Sequence, residues 1–403
     1  MSHDPHAPTV LSPAEARVRL LTHLRLNGPT YAPDHDGVRA ILGDLGMIQL
    51  DPLAPLGTNA DLVAQARAPG LPLGAVYDAL LPGHAFEHYA KERCILPAEA
   101  FPWYRLRARH APILNVQPRL KKLRPGTVEQ VLGEIDARGA TAARELQDHG
   151  GIEPFGWGGG WTGTAKATSM ALEVLFARCD VVVAGRTTTG KVYDLPHRAL
   201  HGPTDPPDDA PGHPDEDLEA FARWAITGRA HAMGLLPRTK GPYWRLLDDA
   251  HRSDLPERMV RDRSLVAIQV DGARRTYLAP PGFLDAPPGE PPERMILLGP
   301  LDPLLWERRL VHQIFEFEYI WEVYKPEAKR RWGWYVCPLL HRGQLVGRLE
   351  GRVRDGTLTI DTLWEERRGS VDESALDALL DQHATAMGAS GLRRPRRSRW
   401  RLG

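Results

Sequence analysis

Apolar positions along the chain switch between a helical period near 3.6 and a strand period of 2, and the switch recurs. Ser12-Pro13-Ala14-Glu15 opens the first helix: Ser caps it, Pro takes the first helical position, and Glu lies three residues after Ser. Leu20, Leu21, Leu24 and Leu26 give that helix an apolar side. Val38, Ile41, Leu42 and Leu45 line one face of a second helix over 34–45. A third is predicted near 73–81. Alternating residues then predict strands over 85–89 and 93–96, the second stopped by Pro97. Three helices followed by a strand pair is the order of a winged helix, a helix-turn-helix variant with a hairpin wing.

The order returns twice. Helices are predicted over 127–137, 141–146 and 167–178, followed by strands over 181–185 and 191–193 around Thr187-Thr188-Thr189-Gly190. A third, looser set has helices over 218–233, 243–247 and 256–261, with strands over 265–270 and 276–278 around Asp271-Gly272. Pro-rich stretches over 202–217, which is also acidic, and 279–292 read as exposed linkers. Beyond them come a strand over 294–298, a helix over 304–315, strands over 317–324, 333–340, 344–353 and 357–364, and a helix over 372–387. That last third reads as a small antiparallel sheet or barrel. The predicted fold class is α+β: three tandem winged-helix units over 12–124, 125–201 and 215–286, a β-rich subdomain over 293–388, and a basic tail over 389–403.

The 403 residues suit two to four domains, and a hydrophobic content of 42% supports several cores. Lys plus Arg equals Asp plus Glu, 51 each, so no global field draws the chain to nucleic acid or membrane. Local clusters can still do so, at Lys121-Lys122-Arg124, over 325–331, and in a tail with Arg393, Arg394, Arg396, Arg397, Arg399 and Arg401. Three scattered cysteines offer neither a disulfide framework nor zinc spacing, which fits a reducing cytoplasm. The polar N-terminus is no secretory signal, and no run reaches the ~20 apolar residues that span a bilayer.

Candidate chemistry centres on Gly46-Met47-Ile48-Gln49-Leu50-Asp51-Pro52-Leu53. In extended chain Gln49 and Asp51 share a face. The amide can donate and accept, whereas the ionised carboxylate only accepts, so the pair can hold a water or face a developing positive charge. An ordinary strand end with a turn Asp before Pro is the competing reading. No metal motif is present, and catalysis without metal or cofactor is expected; His197 and His201 have helical spacing but no third ligand. The Gly156–Gly163 run lacks the Gly-Lys-Ser/Thr ending of a phosphate loop and reads as a flexible loop before a helix. Trp161 and Lys166 can touch a DNA backbone from that helix start. Lys329-Arg330-Arg331-Trp332 interleaves charge with an aromatic, a pattern suited to phosphate contact. Phe86 to Glu92 alternates, as a half-buried strand or as a hairpin approaching DNA beside Gln49.

Ile48-Gln49-Leu50-Asp51, followed by Phe86-Glu87-His88-Tyr89-Ala90-Lys91-Glu92-Arg93-Cys94-Ile95-Leu96-Pro97, resembles the interstrand-crosslink DNA glycosylases of the YcaQ/AlkZ type. The resemblance continues through Arg186 with Val192-Tyr193-Asp194-Leu195, Gly299-Pro300-Leu301-Asp302-Pro303-Leu304-Leu305-Trp306-Glu307-Arg308, Tyr324-Lys325-Pro326, Lys329 to Gly333 and Leu339 to Arg348. It implies three winged helices in a C-shape and a catalytic signature on Gln49 and Asp51. It also implies excision of N-alkylated purines, notably N7-alkylguanine, and unhooking of crosslinks, by a monomer acting on double-stranded DNA in the cytoplasm at the nucleoid. Tyr89 and Lys91 stand where the family carries an aromatic and a His on the wing strand, which implies DNA contact there. The alternative function is a non-catalytic winged-helix regulator reading sequence in the major groove.

Overall fold

A computed structural model describes residues 7–153, 165–188 and 190–403. The chain divides into two compact units. The first holds residues 1–79, 90–94 and 226–403, and the second holds 80–89 and 95–225. The chain therefore leaves the first unit, returns briefly at the tip of a hairpin, and comes back for good within the helix Pro214–Met233.

In the first unit the opening helix is Pro13–His23, with the anticipated capping box: the Ser12 hydroxyl accepts from Glu15 N–H, and the Glu15 carboxylate accepts from Ser12 N–H at 2.9 Å. Asp34 caps His35–Leu45, and Gly46 ends that helix in the left-handed conformation (φ +69°), which a Cβ would strain. The short strand Ile48–Gln49 follows. Helix Asn59–Arg67 was not anticipated. It starts with a capping box closed by Asp61, with Thr58 as cap, so its start signal departs from the usual Glu or Gln. The predicted third helix is the shorter Ala75–Leu80.

Strand Val266–Val270 lies between Thr276–Ala279, antiparallel, and Thr9–Leu11, parallel, with Leu236–Pro237 completing a four-stranded sheet. The start of the chain thus pairs with a hairpin some 250 residues later. The C-terminal sheet runs Ile296–Leu297, Val336–His341, Gln344–Arg354, Thr357–Glu365, antiparallel throughout. The arginine-rich tail extends it: Gly391–Arg393 and Arg401–Leu402 pair in parallel with Thr357–Glu365. Two tail arginines are neutralised, Arg394 by Asp377 at 2.6 Å and Arg397 by Glu373 at 2.5 Å. Leu376, Leu380 and Ala384 of helix Glu373–Ala386 pack on Tyr335, Cys337, Leu339, Leu349, Leu358 and Ile360 of the sheet, with Leu56 and Leu62 in the same core. Each fully buried Leu or Ile there stabilises by roughly 1.5–3 kcal/mol.

In the second unit, Val128, Val131 and Ile135 of helix Thr127–Arg138 pack against Met170, Ala171, Val174 and Leu175 of helix Ala167–Ala177. Beside them lies a three-stranded sheet of Thr141–Ala142, Gly190–Asp194 and Val182–Thr187. Helix Phe101–His110, also not anticipated, carries Pro at its second position and three basic residues in its last turn.

Five expectations are corrected. The segment 141–146 is not helical: Gly139 (φ +80°) ends the preceding helix, and β-branched Thr141 pairs with Tyr193. The segment 243–247 holds only the 3-10 turn Pro242–Trp244, interrupted by Leu246 at φ +68°. The acidic end of the supposed linker is the first turn of Pro214–Met233, where Asp215, Glu216 and Asp217 suit the positive end of the helix dipole. Residues 317–324 alternate but form no ladder. Their buried members are tied individually, with Tyr319 Oη donating to the Pro300 carbonyl at 3.0 Å. Alternation sets the faces of extended chain; a strand also needs a free partner edge. The C-terminal sheet is open and mixed.

Candidate active site

Gln49 and Asp51 lie in the first unit, on and just beyond the strand Ile48–Gln49. Gln49 is 6% exposed. Its side-chain Oε1 accepts from the Lys91 ammonium at 2.9 Å. Asp51 is half-buried; its Oδ1 accepts from Leu53 N–H at 2.8 Å. Among the described residues no cation pairs with this carboxylate. Burial therefore raises its pKa, and the Leu53 N–H only partly offsets that. The charge of Asp51 also adds to the burial that raises the Tyr335 phenol, a buried hydroxyl with no hydrogen-bond partner among the described residues.

Behind Gln49 stands a hydrogen-bonded frame. Asn59, fully buried, donates through Nδ2 to the Gln49 carbonyl at 2.8 Å and accepts at Oδ1 from Leu301 N–H at 3.0 Å. The Leu301 carbonyl accepts from Trp306 Nε1 at 2.8 Å. Asp302 accepts from Leu304 N–H at 3.0 Å and pairs at 2.8 Å with Arg67, both side chains fully buried. Arg67 also donates to the Leu24 and Val63 carbonyls, so this buried ion pair is supported by main-chain acceptors as well. Gly299 leaves room for the frame, because a Cβ there would lie 2.7 Å from Asn59 Oδ1. Leu50 N–H donates to the Arg93 carbonyl at 2.8 Å, tying the other side of the strand to the hairpin.

That hairpin has arms Ala85–Tyr89 and Arg93–Pro97, and its turn is tightened by Ala90 N–H donating to the Glu92 carbonyl at 2.7 Å. Glu92 pairs with Arg245. Lys91 is not out in solvent: it is 7% exposed, with Nζ 5.1 Å from the centre of the Trp306 ring. Burial pulls its pKa down to about 8; Arg308 and Arg229 push the same way, and Cys94 and Glu92 oppose them.

The other predicted contacts are dispersed. Tyr89, in the second unit, is partly buried, its ring 6.3 Å from that of Phe176. Lys166 is exposed, immediately before helix Ala167–Ala177. Trp161 and the glycine-rich loop lie outside the described residues. Lys329 and Arg331 are exposed, and Arg330 donates to the Lys325 carbonyl at 2.8 Å. Arg331 pairs with Glu318 and stacks on Trp332, 4.4 Å from the ring centre. Trp332 itself is buried and covers the fully buried Arg348 guanidinium at 3.9 Å, so its place in the basic run is structural. Among the described residues no group of three or more His, Cys, Asp or Glu could hold a metal ion, and no helix is long and apolar enough to cross a membrane.

Sequence reasoning did not find Asn59 or Arg67. Thr58 and Asp61 signal the missed helix, but nothing local says that its second role is to hold the Gln49 backbone.

Residues 42–387 match the family described as DNA glycosylase AlkZ-like, and the chain belongs to that family. It is thus a DNA glycosylase, a hydrolase of N-glycosyl bonds, which sets aside the non-catalytic regulator. In fold it is similar to the Streptomyces sahachiroi DNA glycosylase AlkZ, with a TM-score of 0.61 at 17% identity over 96% of this chain and 100% of that one.

Proposed function

We propose that this glycosylase releases N-alkylated purines, N7-alkylguanine foremost, and unhooks interstrand crosslinks built on the same bond. Alkylation at N7 makes the purine a cationic leaving group, so departure needs little acid catalysis. The bond from the sugar C1′ to N9 breaks, its electron pair leaves with the base, and the base departs neutral. The sugar passes through an oxocarbenium-like state. Asp51 stabilises that charge and takes the proton of the attacking water, whose oxygen bonds to C1′ and leaves an abasic site. Gln49 positions the water. A placed base of this kind contributes about 10²–10⁴-fold, and preorganised charge adds to it.

The observation that carries the reading is the Asp51 carboxylate, half-buried, raised in pKa by that burial, and with no cation paired to it among the described residues. The reading extends to three tandem winged helices over 12–124, 125–201 and 215–286, each helical set followed by a hairpin. It extends also to a monomer in the cytoplasm that meets duplex DNA through Tyr89, Trp161, Lys166, Lys329, Arg330 and Arg331. A crosslinked base cannot leave the duplex freely, so the reading requires an open, shallow site.

Duplex carrying N7-methylguanine is expected to yield alkali-labile abasic sites, with Asp51→Asn losing about 10²–10⁴-fold in rate. The rate should also fall as pH drops through the raised pKa of Asp51, because only the ionised form accepts the proton. Full activity in both Asp51→Asn and Gln49→Ala excludes the mechanism.

A further inference from the structure

We infer that Lys91 is a positioning residue that fixes which end of the Gln49 amide faces the reaction. This rests on the role proposed above for Gln49 and Asp51 and goes beyond it. An ammonium has three donors and no acceptor, so an amide facing it must present oxygen. Gln49 Oε1 lies 2.9 Å from Lys91 Nζ, and that bond takes one of its two lone pairs and turns the oxygen toward the ammonium. The amide NH₂ is the end left facing the attacking water. Gln49 then donates to the water oxygen and cannot take its proton, which leaves Asp51 as the acceptor of the pair. The division of labour is set by a residue outside the pair.

The lysine is suited to this and unsuited to a phosphate contact. It is 7% exposed, its ammonium lies against the Trp306 ring, and Trp306 is anchored through Nε1 to the Leu301 carbonyl. Leu301 is the residue that Asn59 links to the Gln49 backbone, so one frame holds both partners of the Lys91–Gln49 bond. The groups that set the charge on Lys91 are Cys94 and Glu92 on its own hairpin, Arg308 beyond Trp306, and Arg229. Burial and those arginines bring its pKa to about 8, within reach of an ordinary pH profile. Once neutral, the amine has a lone pair and accepts as readily as it donates. The preference for one amide orientation is then lost.

The test is single-turnover release of N7-methylguanine from duplex, with the rate and the DNA concentration dependence measured from about pH 7 to pH 9. The wild-type rate should fall as pH rises through about 8, with half-saturation by DNA unchanged. Lys91→Met should lower the rate about tenfold, leave half-saturation within about twofold, and remove the alkaline fall. A wild-type rate level across that window overturns the inference, and so does Lys91→Met at the wild-type rate while Asp51→Asn is inactive. The wild-type profile decides the matter even where the variant does not fold. Full activity of Asp51→Asn would instead remove the mechanism on which the inference rests.

Discussion

Asn59→Ala tests the frame that holds the catalytic strand. Asn59 is fully buried and makes two bonds to main chain, 2.8 Å to the Gln49 carbonyl and 3.0 Å to Leu301 N–H. Truncation leaves both backbone groups buried without partners. Each costs about 1–3 kcal/mol, so the loss of stability should be about 2–6 kcal/mol. Urea unfolding measures it. Activity should fall by more than the unfolded fraction explains, because the Gln49 carbonyl loses its tether and the strand can shift. Base release measured where the variant is still folded separates the two effects. Asn59→Asp keeps the acceptor for Leu301 N–H but sets a carboxylate oxygen against the Gln49 carbonyl in a fully buried place, so it should lose at least as much stability as Asn59→Ala. Asn59→Ala within about 0.5 kcal/mol of the parent and fully active refutes the reasoning.

Gly299→Ala attacks the same frame from the other side. Its Cβ would sit 2.7 Å from Asn59 Oδ1 and 3.0 Å from Leu62 Cβ, so about 1–3 kcal/mol of stability and part of the base-release rate should be lost in urea and glycosylase assays. His383 predicts an acid weakness. It is 6% exposed and burial lowers its pKa from 6.5 to about 4, with a bond involving the Leu56 backbone opposing that. Its stabilising contribution is complete above the unfolded value of 6.5 and is lost as pH falls toward 4, up to roughly 3 kcal/mol. His383→Leu should flatten urea stability over that window; an unchanged pH slope would count against it.

The elements most legible in the sequence are those with both a periodic face and a chemical stop. Pro13–His23 and His35–Leu45 had both: a capping Ser or Asp, and Gly46 ending the second. The C-terminal hairpins were legible because Gly343 and Gly356 sit at positive φ between alternating runs. Segments whose state depends on a distant partner were not. Thr141–Ala142 is a strand because Gly190–Asp194 lies beside it, and 317–324 joins no ladder, its Glu318 carbonyl accepting from the Arg348 side chain. The tail looked like a solvated basic run, yet two of its arginines meet Asp377 and Glu373, and its strands find the free edge of Thr357–Glu365.

The site shows the same limit at finer scale. Gln49 and Asp51 could be singled out because i and i+2 in extended chain share a face, a local rule. What distinguishes them chemically is non-local. Lys91 arrives 42 positions later and bonds the amide oxygen; among the described residues no cation arrives for Asp51. Both members of the motif can accept a hydrogen bond, so the sequence alone does not say which end of the amide faces the reaction. The third residue decides it, and a lysine on a hairpin turn reads in sequence as surface charge until Trp306 and the buried strand are seen to enclose it. Exposure decides between the two roles: a solvated Lys91 would be a point charge for phosphate, whereas a desolvated one must satisfy its donors inside the protein, and Gln49 Oε1 is where one of them goes.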